Sequence, residues 1–154
     1  MKLEKEHAIP APQARVWDAL NDPEILRQAI PGCESVERLE DGSFRARVKI
    51  KVGPVGASFA GRLSFEDVDV PNGYKLNFEG QGGVAGYARG HASVRLRPDG
   101  SEATILAYEA HAQIGGKLAQ VGARLIEGVA VKTSAAFFVA FSQIVGGGQA
   151  APAT

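Results

Sequence analysis

The chain has 154 residues, enough for one domain with a substantial core. Seventeen basic residues balance seventeen acidic ones, so no net field draws it to nucleic acid or to an anionic membrane. Cys33 is the one cysteine, which excludes an intrachain disulfide and a cysteine-cluster metal site.

The first segment, "MKLEKEHAIP", is charged and alternating rather than apolar, unlike a signal peptide. Leu3, Lys5, His7 and Ile9 alternate with Glu4, Glu6 and Ala8, a strand that stops at Pro10. Two short helices follow. Val16, Trp17 and Leu20 fall at helical spacing behind Pro12. The second helix opens at "NDPE", where Asn21 or Asp22 can cap and Pro23 suits the first turn; Ile25, Leu26, Ala29 and Ile30 make its apolar side. Pro31-Gly32 ends it, and Cys33 falls in a loop or at a strand edge.

A long β region comes next. In "FRARVKIKV", Phe44, Ala46, Val48, Ile50 and Val52 occupy one face and Arg45, Arg47, Lys49 and Lys51 the other. Gly53-Pro54 breaks this strand. Phe59, Leu63 and Phe65 share a face of the following one, which ends at the "DVPNG" turn. Tyr74, Leu76 and Phe78 alternate in a further strand, and so do Ala88, Gly90, Ala92, Val94 and Leu96. Pro98-Asp99-Gly100 turns the chain into Thr104, Leu106, Tyr108, Ala110 and Ala112.

Between two of these strands, "GQGGVA" satisfies the G-x-G-x-x-A form of a dinucleotide fingerprint. That fingerprint binds a pyrophosphate only where a strand hands over to a helix N-terminus. Here period-two alternation resumes after the glycines. Gly82-Gly83 is therefore expected to form a hairpin turn, and Gly86 and Gly90 to permit bending or close approach.

Gly115-Gly116 closes the sheet region, and from Lys117 to about Val145 the period becomes helical. Leu118, Gly122, Leu125, Ile126, Val129, Thr133, Ala136, Phe137, Ala140 and Ile144 fall on one wide face, opposite Lys117, Gln120, Arg124 and Glu127. Phe138 and Val139 leave that face. No unbroken run reaches the roughly 18 apolar residues of a membrane span. "GGGQAAPAT" reads as a flexible tail or linker, giving a domain over residues 1–145 and a tail over 146–154. The order is strand, two short helices, six antiparallel strands and one long helix, an α+β arrangement of about seven strands curled around the C-terminal helix. It resembles the helix-grip fold of the START-like superfamily, whose members keep an apolar cavity between sheet and helix.

Catalytic and metal-binding patterns are missing: His7, His91 and His111 stand singly, and no G-x-S-x-G or metal-ligand spacing occurs. Glu66, Asp67 and Asp69 read as a solvated strand end, and Trp17 as a core anchor. The expected cavity lining is Phe59, Leu63, Phe65, Tyr74, Leu76, Phe78, Tyr108, Leu118, Gly122, Leu125, Val129, Phe137 and Phe141, with Ala and Gly on the sheet leaving room between them. Arg45, Arg47, Lys49 and Lys51, with Phe138, form the expected surface for a partner or anionic headgroups.

At "PGCESVE" (31–37), "GPVGASFAGRLSFEDVDVPNGYKL" (53–76), "GQGGVAGYARGHASVRLRPDG" (80–100) and "AQIGGKLAQVGARLIEG" (112–128) the chain closely resembles the CoxG family, the G subunits of carbon monoxide dehydrogenase. The similarity runs through essentially residues 1–145. It implies the helix-grip fold and no intrinsic redox centre, alongside the residue reading of no catalytic site, no metal and no nucleic-acid partner. Members of that family are accessories of a molybdenum hydroxylase, associated with recruiting it to the inner face of the cytoplasmic membrane, which makes a cytoplasmic, peripheral location the expectation. The cavity would hold a quinone or lipid, with Tyr74, Tyr87 and Tyr108 as the phenols available to a quinone carbonyl. Two alternatives share the fold: a general lipid carrier, and an enzyme of the polyketide cyclase or dehydratase type with His7 or Glu109 as its acid or base.

Overall fold

The structure of the protein, a computed structural model, describes residues 1–150, with side chains through residue 146. Seven antiparallel strands form a single sheet in the order β1-β7-β6-β5-β4-β3-β2. In the chain, β1 (Lys2–Ile9) is followed by α1 (Gln13–Leu20), α2 (Pro23–Ala29), β2 (Cys33–Arg38), β3 (Phe44–Val52), β4 (Val55–Asp69), β5 (Gly73–Gln81), β6 (Tyr87–Pro98), β7 (Thr104–Gly115) and α3 (Ala123–Ala150). This is the helix-grip arrangement expected from the alternation pattern.

Local chemistry sets the element ends. Asp22 caps α2, its carboxylate accepting from the N–H groups of Glu24 at 2.9 Å and Ile25 at 3.4 Å, with Pro23 in the first turn. Arg27 and Gln28, one turn on, hold the exposed Glu24 carboxyl down at about 2. The turn between β5 and β6 is a short 3₁₀ segment, Gly83–Ala85, so the glycine cluster makes a hairpin and not a phosphate cradle. Gly90 shows why the sheet needs glycine at its centre. A Cβ there would overlap the His111 carbonyl oxygen across the β6–β7 pair and sit 2.8 Å from Phe78 Cζ.

The long helix differs from expectation at both ends. Residues Gly116–Val121 form a 3₁₀ segment, Gly122 turns the chain at φ +100°, and α3 begins at Ala123. Its phase is therefore not continuous with Leu118. The inward residues are Ile126, Val129, Ala130, Ser134, Phe137, Phe138, Ala140, Phe141, Ile144 and Val145, so Ile126, Val129, Phe137, Ala140 and Ile144 lie as expected, whereas Leu125, Thr133 and Ala136 are exposed. At the other end the helix continues through Ala150, beyond the expected tail boundary at residue 146; residues 151–154 lie outside the described residues. Ala123–Gly146 is also apolar enough, averaged over its length, to cross a bilayer, although Lys132, Thr133 and Ser134 interrupt it. Only 11% of its most apolar window is buried.

That low figure follows from how the core is divided. One cluster joins Ile9, Val16, Trp17, Leu106, Phe141 and Val145 at the α1 end of the sheet. A second joins Val52, Phe59, Ala85 and Leu118 at the far end, with Ile126 and Val129 packed on it. Between them the inner face is paved by small residues: Ala46, Gly61, Gly80 and Ala88 run side by side across four strands. These residues are only half-buried, so the middle of α3 spans a trough and not a packed interior.

Candidate functional site

The trough deepens into a chamber of about 240 Å³ at the α1 side. Its floor is Leu63 and Phe65 of β4, Tyr74 and Leu76 of β5, Ala92 and Val94 of β6, and Leu106 and Tyr108 of β7. Leu20, Leu26 and Ile30 close one side, and Ser134, Phe137 and Phe138 of α3 form the roof. Alternation aims every second strand residue inward, so one face of each strand contributes to one wall. A larger depression of about 530 Å³ lies across Glu79, Arg89, His91, His111 and Gln113 on the opposite, wet face. It is a shallow groove open to water, and its lining suits no apolar ligand.

The lining carries three hydroxyls and no charge. Burial pushes the Tyr74 phenol well above its ordinary range, so it stays neutral, and its ring meets Trp17 and Phe65 edge-on at 5.7 and 5.2 Å. Tyr108 Oη and Ser134 Oγ share a hydrogen bond of 2.6 Å. This pair also stands at the edge of a second chamber of about 220 Å³, bounded by Leu3, Lys5 and His7 of β1 and by Val131 and Ala135 of α3. Tyr108 and Ser134 line both spaces, so their hydroxyl contact is a partition between them.

His7 faces this side chamber. Its ring stacks on Phe138 at 3.9 Å, and Nε2 is buried with no hydrogen-bond partner. Burial, and to a smaller extent Lys5, lowers its pKa below 6.5, so the imidazole is neutral near pH 7. Among the described residues, it is the one buried side-chain polar atom left unsatisfied.

The structure places the expected lining residues unevenly. Leu63, Phe65, Tyr74, Leu76, Tyr108 and Phe137 meet around the chamber. Phe59 and Leu118 instead fill the far core cluster, with Val129 against it, and Phe141 is fully buried behind Phe137. Gly122 and Leu125 lie exposed at the start of α3, and Phe78 is half-buried beside Gly90. Phe138, expected on an outer surface, turns inward onto His7, edge-on to its neighbour Phe137. Leu20, Leu26, Ile30, Ala92, Val94, Leu106 and Ser134 were not among the expected lining. The apolar side of α2 was the available signal for two of them.

The other candidates separate cleanly. Glu109 is on the wet face, where a hydrogen bond from His111 at 3.0 Å is the main cause of its lowered pKa; it cannot serve the chamber. Tyr87 also faces outward, under Arg89. Burial raises the Cys33 thiol, the reverse of an activated nucleophile. Asp67 and Asp69 pair with Lys75 and Arg95. On β3, Arg45, Arg47, Lys49 and Lys51 are all exposed as expected, but Arg45 is paired with Glu37. Among the described residues, no cluster of His, Cys, Asp and Glu could hold a metal ion.

Comparison with known proteins agrees with this geometry. No curated protein matches the sequence. A conserved protein from Geobacillus kaustophilus superposes with a TM-score of 0.87 at 29% identity, over 94% of this chain and 95% of that one. A START superfamily protein from Mycobacterium smegmatis gives 0.68 at 15% identity, over 94% and 96%. The ZhuI aromatase/cyclase from Streptomyces sp. R1128 gives 0.66 at 18% identity, over 99% and 96%. At those lower identities the likeness is one of fold. The profile of CoxG, the G subunit of carbon monoxide dehydrogenase, matches residues 6–146, and the chain belongs to that family.

Proposed function

We propose that the protein is a non-catalytic accessory subunit of a molybdenum hydroxylase of the carbon monoxide dehydrogenase kind. In this reading it recruits the enzyme to the inner face of the cytoplasmic membrane and carries an apolar molecule with a polar head, a quinone or a lipid. The family membership supports the partner. The carrying observation is the 240 Å³ chamber, lined by aliphatic and aromatic carbon with only neutral hydroxyls to orient a head group. Oxidising a gas delivers electrons that must reach membrane acceptors, and a protein that shelters a quinone would join the two phases. The test is to co-express the protein with its hydroxylase, extract it with organic solvent and analyse the extract by mass spectrometry. A stoichiometric quinone or lipid is expected, and its absence refutes the carrier reading.

A second reading, an enzyme of the cyclase or dehydratase type, is favoured by one observation: the neutral, unpartnered Nε2 of His7 beside Tyr108. Loss of turnover of a small aromatic substrate in His7→Ala would establish it over the first.

A further inference from the structure

The net charge of zero hides a separation of charge along the sheet. At one end lie the connections 39–43, 70–72 and 99–103 with the end of β4, which carry Glu40, Asp41, Asp67, Asp69, Asp99 and Glu102; the basic side chains that reach this end, Arg62, Lys75 and Arg95, are paired with Asp41, Asp67 and Asp69. At the other end lie the connections 53–54, 82–86 and 116–122 with the residues flanking them, which carry Lys51 at the end of β3, Lys117, and Arg124 in the first turn of α3. Contacts hold these three segments together: Ala85 packs in one cluster with Val52 and Leu118, and a Cβ on Gly53 would meet Leu125 Cδ2 at 2.8 Å. None of the three basic side chains has an ion-pair partner among the described residues; Glu127, one turn into α3, pairs with none of them. The N-terminus of α3 lies here too and adds its positive dipole end.

On the β5–β6 turn of this basic end an aliphatic side chain projects into solvent. Val84 sits on the β5–β6 turn with Gly82, Gly83 and Gly86 around it and is 93% exposed; Leu125 beside the turns is 42% exposed. We propose that this tip is the membrane-docking surface, with Val84 inserted among anionic lipid head groups and Lys51, Lys117 and Arg124 contacting them. The proposal deepens the recruitment reading above and rests on it.

Size and charge select a bilayer. The exposed apolar surface of the tip is Val84 with part of Leu125, far short of the ~800 Å² per side of a stable protein interface. The opposite end also exposes aliphatic side chains, Val68 and Val70, but there the nearby Lys75 and Arg95 are already paired with Asp67 and Asp69, which among the described residues leaves no free cation beside them for anionic head groups. The rest of the β3 stripe, Arg45, Arg47 and Lys49, has beside it only Ile50, 37% exposed on the other face, and Arg45 there is already paired.

The test is sedimentation of the purified protein with phosphatidylcholine vesicles, with and without 30% phosphatidylglycerol. Binding is expected only to the anionic vesicles and to weaken in high salt. Lys51→Gln with Lys117→Gln should lose about 25-fold in partition, at about fivefold per basic residue, and Val84→Glu should also release the protein. Val70→Glu, at the acidic end, should change nothing. Because these side chains are exposed, unaltered melting curves verify the fold of each variant. If Arg45→Glu with Arg47→Glu abolishes binding while the tip variants keep it, the tip is wrong and membrane recruitment stands. If the unaltered protein ignores anionic vesicles, both fail. If the tip variants bind vesicles normally but lose the hydroxylase, the tip is a protein interface and the proposal is overturned.

Discussion

Replacing Ala92 by Leu asks whether the chamber is empty space, and the sign of the stability change answers. Ala92 sits on the inner face of β6 between Leu76 of β5 and Ala110 of β7, and it lines the chamber. Leucine adds three carbon groups, each about the volume of a water molecule in the liquid, so about 90 Å³ in all. The chamber holds about 240 Å³ and accommodates them without moving backbone. Burying three such groups contributes up to ~2.4 kcal/mol, offset by ~1 kcal/mol of lost rotamer freedom, a net gain of about 1–2 kcal/mol. In a packed interior the same change would cost about 1–3 kcal/mol through overpacking. Urea unfolding of solvent-stripped protein measures the difference. At a slope of ~2 kcal/mol per molar, the middle of the usual range, the midpoint should rise by about 0.5–1 M. Stripping matters because a retained ligand would itself stabilise the unaltered chain. The same variant should carry less extractable ligand. A fall in midpoint of similar size, with the slope unchanged, would refute the trough described between the two core clusters.

Three further outcomes follow from single contacts. Tyr108→Phe removes the hydroxyl bond to Ser134 and should cost about 1 kcal/mol, lowering Tm by about 2–4 °C in calorimetry; an unchanged Tm would mean that the partition is not held by this bond. His7 titrates below 6.5 in the fold, so the unfolded chain takes up a proton that the folded chain does not. Stability should therefore rise with pH from the depressed folded value up to about 6.5. His7→Phe should flatten urea midpoints compared across that window, and a slope that persists would place the titration elsewhere. Gly90→Ala drives a Cβ into the His111 carbonyl, which the β6–β7 pairing prevents from moving. It should cost about 3 kcal/mol, read as a lower urea midpoint, and a neutral result would show that the sheet can unbend there.

The strands were legible because one face of each is wet. Period-two alternation in "FRARVKIKV" and in residues 88–96 carries both the conformation and the inward face, and β3 and β6 follow it except at Ile50, which the open trough leaves exposed. The same alternation argues against the dinucleotide motif, and the hairpin at Gly83–Ala85 bears that out. Strand β2 carries a weaker signal. "CESVER" has one apolar side chain at its centre, and its pairing with β3 shifts register between Cys33 and Ser35. Such an edge strand is held by its neighbour and not by its own pattern.

The site was legible only in part, because a cavity belongs to an arrangement and a helical phase belongs to a whole helix. Extending one 100° projection from Leu118 through Ile144 assumes unbroken helix, yet six residues in 3₁₀ geometry and the left-handed turn at Gly122 reset the angle. With Leu118 and Gly122 outside the helix, the inward face of α3 centres nearer Ser134 and Phe138, which leaves Leu125 exposed and Phe138 on His7. That face also brings Ser134 opposite Tyr108, a pairing across 26 positions that no local pattern encodes. The charge separation escapes a composition count for a related reason. Summing seventeen against seventeen removes position, whereas the turns alternate between the two ends of the sheet with every strand. An up-and-down antiparallel order therefore sorts successive turns into two groups, and unlike charges assigned to odd and even turns become a field along the molecule. Once the strands are counted, that field can be read from the sequence, with no side-chain coordinates at all.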